Sequence, residues 1–156
     1  MLERNPEQLT VADFGSVVLM VPYFMRRPYH MIAFCKDVEK AHLCELSSEE
    51  RHAFANVLAD AINVTLRLMR GLGKEPAFNF TVNNVPGGSL YVEFLPYTQP
   101  RGGFERLGLW TCQNMPENAA ADIREHFDSA GCTADNGNYR ASVSAGSCLM
   151  EQPHVT

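Results

Sequence analysis

The stretch Ser89-Leu90-Tyr91-Val92-Glu93-Phe94-Leu95-Pro96, with Gly103-Phe104-Glu105 shortly after it, decides how the rest of the chain is read. Side chains along a strand alternate between two faces, so Ser89, Tyr91 and Glu93 are predicted on one side and Leu90, Val92 and Phe94 on the other. One side suits a hydrophobic core and the other carries hydroxyl, phenol and carboxylate. Residues 77–83 are predicted as the preceding strand. Asn83-Asn84-Val85-Pro86-Gly87-Gly88 between the two has the proline and glycines of a turn.

Two earlier runs, residues 17–22 and 29–35, are rich in β-branched and aromatic residues and read as strands that open the domain. The break at Arg26-Arg27-Pro28 makes a hairpin-like connection between them. Ser47 is an N-cap candidate, with Glu50 three residues on as its capping-box partner. The helix that starts there is predicted to run to about Arg70. Phe54, Val57, Leu58, Ala61, Thr65 and Leu68 recur at helical spacing and form its buried stripe, and Gly71 with Gly73 closes it. Residues 107–112 read as a weaker strand, and Pro116 opens a short helix to about Phe127. Beyond that point Gly, Ser, Ala and Asn dominate. The expected organisation is therefore a domain over residues 1–127 and an irregular or extended tail over 128–156. The fold class is α+β, an antiparallel sheet with one long helix packed on a face.

With 156 residues, 46% of them hydrophobic, the chain can build one domain with a real core. Its net charge of −5 argues against a general nucleic-acid surface. The five cysteines are widely spaced without a Cys-x-x-Cys pair, which points to a reducing compartment and encodes neither a disulfide framework nor a zinc ribbon. The polar, acidic start and the lack of a long apolar run suit a soluble, intracellular, cytoplasmic protein with no membrane partner.

The alternating strand resembles the signature strand of the histidine-triad superfamily. It is more closely similar to its counterpart in the carboxy-terminal half of galactose-1-phosphate uridylyltransferases. Val21-Pro22-Tyr23-Phe24-Met25-Arg26-Arg27-Pro28-Tyr29 is similar to the opening of that domain. Phe78-Asn79-Phe80, Gly103-Phe104-Glu105, and Pro116-Glu117-Asn118-Ala119-Ala120 with Ile123-Arg124-Glu125 continue the likeness in the same order, over about residues 12 to 127.

The resemblance implies a histidine-triad-like fold and a history of nucleotidyl transfer in galactose metabolism, in which the strand's middle histidine attacks phosphorus. Here Ser89, Tyr91 and Glu93 hold the three alternating positions, so the attacking imidazole is absent. A glutamate at the position of Glu93 is normal for uridylyltransferase-like sequences, whereas Ser89 and Tyr91 are departures. Histidine at position 30, where the family usually carries an acidic residue, is another. Tyr91 is the one nucleophile left on the strand, and a phenol needs a charged neighbour to act at neutral pH. No metal site and no cofactor are expected. Arg26, Arg27 and Arg101 flank the implied cleft as phosphate ligands, and Asn79 matches an asparagine near it.

The function this suggests is a pseudoenzyme, a non-catalytic module that binds a nucleotide or sugar phosphate, or that engages a protein partner or a second copy of itself. The alternative is an active nucleotidylyltransferase or phosphohydrolase, working through Tyr91 or with a partner chain that supplies the missing half.

Overall fold

The computed structural model describes residues 7–84, 89–100 and 102–128. Arg101, the turn over 85–88 and the tail from 129 onward lie outside them. In chain order the elements are β1 (Thr10–Asp13), β2 (Val17–Met20), β3 (Met31–Cys35), α1 (Ser48–Gly71), β4 (Phe78–Asn83), β5 (Tyr91–Pro96), α2 (Gly103–Arg106) and α3 (Pro116–Asp128). The strands form one antiparallel sheet in the order β1-β2-β3-β5-β4. The sequence β2, β3, α1, β4, β5, α3 follows the sequence expectation, and the fold class is α+β with a long and a short helix. No helix among the described residues is long and apolar enough to cross a membrane.

α1 begins where its cap predicts. Ser47 Oγ accepts the Glu50 backbone N–H at 3.2 Å, and the Glu50 carboxylate accepts the Ser47 backbone N–H at 2.7 Å. Two otherwise unpaired donors are thereby satisfied at the helix start. Lys40 reaches the same Glu50 carboxylate, which holds it well below the usual range, to about 2. At the other end Leu72 caps the helix and Gly73 follows at a φ of +64°, a conformation open to glycine.

The buried face of α1 is made by Phe54, Val57, Ala61, Val64, Thr65, Leu68 and Met69. Thr65 tolerates burial because its hydroxyl donates to the Ala61 carbonyl one turn back, at 2.7 Å. Leu58, expected within the stripe, sits at its margin and is only partly buried. Val64, seven residues after Val57 and three after Ala61, joins the buried stripe in its place. α1 lies on the sheet face formed by Val17, Leu19, Ala33, Cys35, Val92 and Phe94, and α3 adds Ala119, Ala120, Ile123 and Phe127 to the same core. The rings of Phe14 and Phe127 meet edge to face at 6.3 Å.

The structure differs from the sequence reading in three places. A short edge strand, β1, precedes β2. Its four residues carry too little periodicity to stand out, and it exists through its pairing with β2 across an irregular register. Residues 107–112 form no strand. After the single turn of α2, Leu107 caps the helix and Gly108 takes a φ of +82°, which turns the chain out of an extended path. Leu107 and Leu109 are left 79% and 59% exposed. Finally, β5 starts at Tyr91, so Ser89 lies outside the ladder, although the Leu90 carbonyl still accepts from Cys35 N–H at 3.0 Å.

Phe54→Ala is expected to cost about 3–5 kcal/mol, because it opens a cavity between α1 and the sheet. Phe80→Ala, at a position 55% exposed on the edge strand β4, should cost under about 1 kcal/mol. Urea unfolding of the two variants measures the contrast, and equal losses would mean the helix does not pack as described.

Candidate functional site

β5 is hydrogen-bonded on both sides, with Ile32 of β3 and Thr81 of β4 both paired to Glu93. Its alternation is as predicted. Leu90, Val92 and Phe94 enter the core beneath α1, while Tyr91 packs on the opposite face with Val18, Met20, Ile32 and Phe34. The register assigns Asn79, Thr81 and Asn83 of β4 to that same face as Tyr91 and Glu93, since each pairs with an outward position of β5. Across β4 and β5 this second face is polar, and across β2 and β3 it is apolar.

The polar flank is organised by Glu93. A carboxylate with only 10% of its side chain exposed needs partners to remain ionised. Arg26 Nη1 donates to Oε2 at 3.1 Å, and His30 Nε2 lies 2.9 Å from Oε1. The His30 ring is itself positioned by the main chain, because the Arg26 N–H donates to Nδ1 at 3.3 Å. With Nδ1 acting as acceptor, the neutral ring carries its proton on Nε2, the nitrogen beside Glu93. That contact is close but bent, and Nε2 gains no well-aligned acceptor from it. The His30 imidazole beside it, then the Arg26 guanidinium, hold the Glu93 carboxyl below the usual range against the opposing effect of burial.

The turn between β2 and β3 is what brings these groups together. His30 N–H donates to the Arg27 carbonyl at 3.2 Å, and Tyr29 between them takes a φ of +64°, rare for a side chain of that size. Such strain persists when its surroundings fix it. The Tyr29 hydroxyl donates to Asp122 of α3 at 3.1 Å, and Thr98 Oγ1 donates to the Pro28 carbonyl at 3.4 Å. Burial, then the hydrogen bond and charge of Asp122, raise the Tyr29 phenol above its ordinary range.

The sequence-predicted residues separate accordingly. Tyr91 stacks on Phe34, with ring centroids 5.5 Å apart and planes inclined by 29°. Ser89 precedes the strand. Asn79 is on the same face as Glu93 but exposed on the edge strand, opposite Leu95. Arg26 is in the site, with 47% of its side chain exposed and its guanidinium 5.9 Å from the Trp110 ring centroid. Arg27 points elsewhere: it is 3% exposed and lies over the Tyr97 ring at 4.3 Å. In the sequence His30 is a departure from the family pattern that could approach the Tyr91 face across the sheet, and in the structure it is the buried neighbour of Glu93 on that face; Trp110 and Tyr97 carry no sequence signal. Among the described residues no three His, Cys, Asp or Glu side chains gather to hold a metal ion.

Glu93→Ala should destabilise the fold by about 2–3 kcal/mol, less than for a fully dry pair because Arg26 is half exposed. The pH dependence has a definite sign. The folded carboxyl titrates below its unfolded value, so its contribution is complete above the unfolded pKa and is lost as pH falls through the folded one. The stability gap between the parent chain and Glu93→Gln should therefore narrow below about pH 4. Chemical denaturation between pH 3 and 7 reads it, and a gap that widens on acidification would contradict the pairing.

No family model matches the sequence, and no curated protein does. Solved structures do. A uridylyltransferase superposes with a TM-score of 0.63 at 20% identity, covering 80% of this chain and 42% of its own. The ADP-glucose phosphorylase of Arabidopsis thaliana, solved with bound ADP-glucose, gives 0.64 at 18% identity, covering 75% and 40%. A zinc-bound histidine triad family protein from Mycobacterium smegmatis gives 0.56 at 11% identity, covering 83% of this chain and 89% of its own. The chain thus spans about two fifths of the first two proteins and nearly all of the third. At these identities the likeness is one of fold, and the fold of this chain is the one that uridylyltransferases and histidine-triad proteins share.

Proposed function

We propose that the chain forms a domain of the carboxy-terminal uridylyltransferase type that binds a nucleotide or sugar phosphate without transferring it. The reading rests on the state of the Glu93 site. The one imidazole on the polar flank, His30, is 2% exposed, with Nδ1 accepting from the Arg26 backbone and Nε2 turned toward Glu93, so neither nitrogen faces an open cleft. A nucleophilic imidazole must present a free nitrogen to phosphorus. Tyr91 packs flat on Phe34 and Ser89 stands off the ladder. What remains is binding chemistry: the half-exposed Arg26 guanidinium beside Trp110, and the exposed amide of Asn79 with Thr81 on β4. Guanidinium suits phosphate, and amide and hydroxyl groups suit a base or sugar. The similarity in fold to a protein solved with ADP-glucose agrees with a ligand of this class.

A second reading, engagement of a protein partner, is favoured by an apolar surface. Phe24 is 85% exposed, Leu107 79% and Met115 63%, and Tyr23, Leu109 and Trp110 are exposed as well. Tyr23, Phe24 and Met115 line one pocket of about 350 Å³, and exposed apolar clusters of this kind mark association surfaces.

Titration calorimetry with UDP, UDP-glucose and AMP tests the first reading. Binding is expected, weakened roughly tenfold or more in Arg26→Ala, in line with the loss of a charge-assisted bond of about 1.5–3 kcal/mol. After incubation with the same compounds, intact-mass spectrometry should show no nucleotidyl adduct. An adduct on Tyr91 would make the chain an enzyme, and absence of binding at millimolar ligand would leave the protein-partner reading.

A further inference from the structure

Three buried polar side-chain atoms among the described residues have no hydrogen-bond partner: Arg27 Nη1, His30 Nε2 and Glu117 Oε2. Two have a local explanation. His30 Nε2 has Glu93 beside it, and Glu117 stands in the first turn of α3, where the helix dipole favours a carboxylate. Arg27 has none. Its side chain belongs to a residue 3% exposed, no carboxylate among the described residues pairs with it, and its contact of opposite polarity is the face of Tyr97 at 4.3 Å. A stacked aromatic ring offsets part of the cost of burying a guanidinium, but it accepts none of the in-plane N–H groups. Arginine cannot relieve the deficit by losing its proton. A full positive charge is therefore buried, already dehydrated and short of an acceptor.

The covering ring stands partly in solvent. Tyr97 is 42% exposed, with its backbone fixed by donation to the Ala77 carbonyl at 2.8 Å, so the ring can rotate about χ1 without disturbing the strand end. The next residue, Thr98, is 7% exposed and ties the segment to the Pro28 carbonyl. Arg26 differs in that Glu93 already occupies one of its donors.

We propose that Arg27 is a built receptor for a phosphate group, closed by the Tyr97 ring in the unliganded chain and opened by rotation of that ring. The inference rests on the nucleotide or sugar-phosphate reading above and deepens it, dividing the two arginines: Arg26, one donor of which is held by Glu93, adds a contact at the rim, and Arg27 supplies the bidentate donors for the phosphate. The orphaned N–H and the loss of water on burial both precede ligand arrival, so the site is organised in advance.

The test is thermal unfolding of the parent chain, Arg27→Met, Arg26→Met and Tyr97→Ala, each with and without inorganic pyrophosphate, and with uridine as the phosphate-free control. In the parent chain pyrophosphate should raise Tm and uridine should not. Arg27→Met removes an unpaired buried charge and should melt at the same temperature or about 2–5 °C higher without pyrophosphate, and should show no rise with it. Arg26→Met should show a smaller rise without losing it, in line with the weakening expected for Arg26→Ala. If Arg27→Met does not fold, Tyr97→Ala decides: its rise should appear at lower pyrophosphate concentration, since the gate is gone. A rise kept in Arg27→Met and lost in Arg26→Met would overturn this inference and leave the binding reading intact. A lowered Tm in Arg27→Met with the rise preserved would make Arg27 a structural residue. An unchanged or absent rise in Tyr97→Ala would remove the gate. No rise in the parent chain would remove both the receptor and the phosphate-ligand reading.

Discussion

Burial of one carboxylate, Glu93, in the middle of a strand is the constraint around which the site side of this molecule is arranged. β5 is flanked by β3 and β4, so its backbone groups are paired and its side chains must divide between the two faces. Val92 and Phe94 complete the core under α1, and that fixes Glu93 on the other face with no freedom to reach water. A charge in that position survives only with compensation. Arg26 and His30 supply it from the turn that precedes β3, and the turn accepts an unfavourable conformation at Tyr29 to deliver them.

This arrangement explains why the turn is anchored to so many elements. Tyr29 is tied to α3 through Asp122, Pro28 to the segment after β5 through Thr98, and the Arg26 amide to the His30 ring. The first two tethers come from parts of the chain distant in sequence, and the third is local to the turn. The helix α3 is thus more than a lid on the core: through Asp122 it helps hold the turn that neutralises Glu93.

Adjacent arginines in one turn have opposite fates, and the cause is the alternation of the backbone at a tight bend. Arg26 is directed to the polar flank, meets Glu93 and keeps about half of its side chain in water. Arg27 is turned under Tyr97 and buried. Their shared chemistry in the sequence, two guanidinium groups next to a proline, conceals that difference.

Much of the fold was legible in the residues alone, because it depends on local rules. The Ser47–Glu50 capping box, the spacing of Phe54, Val57, Ala61 and Leu68, the two-residue alternation of β5 and the proline at the start of α3 are each properties of a few neighbouring side chains. β1 and the bend at Gly108 were not legible, since the first exists only through its partner strand and the second through a backbone sign that periodicity does not register. The site followed the same division. Glu93 and Arg26 could be nominated from the sequence, along with Tyr91, Ser89, Asn79 and Arg27. Tertiary structure alone decided that Glu93 joins His30 and Arg26, that Arg27 leaves for Tyr97, and that Ser89 stands off the strand. The physical reason is that alternation determines the face on which a side chain lies, whereas the partner it finds depends on register and on a turn held from elements up to a hundred residues away, which no local pattern encodes.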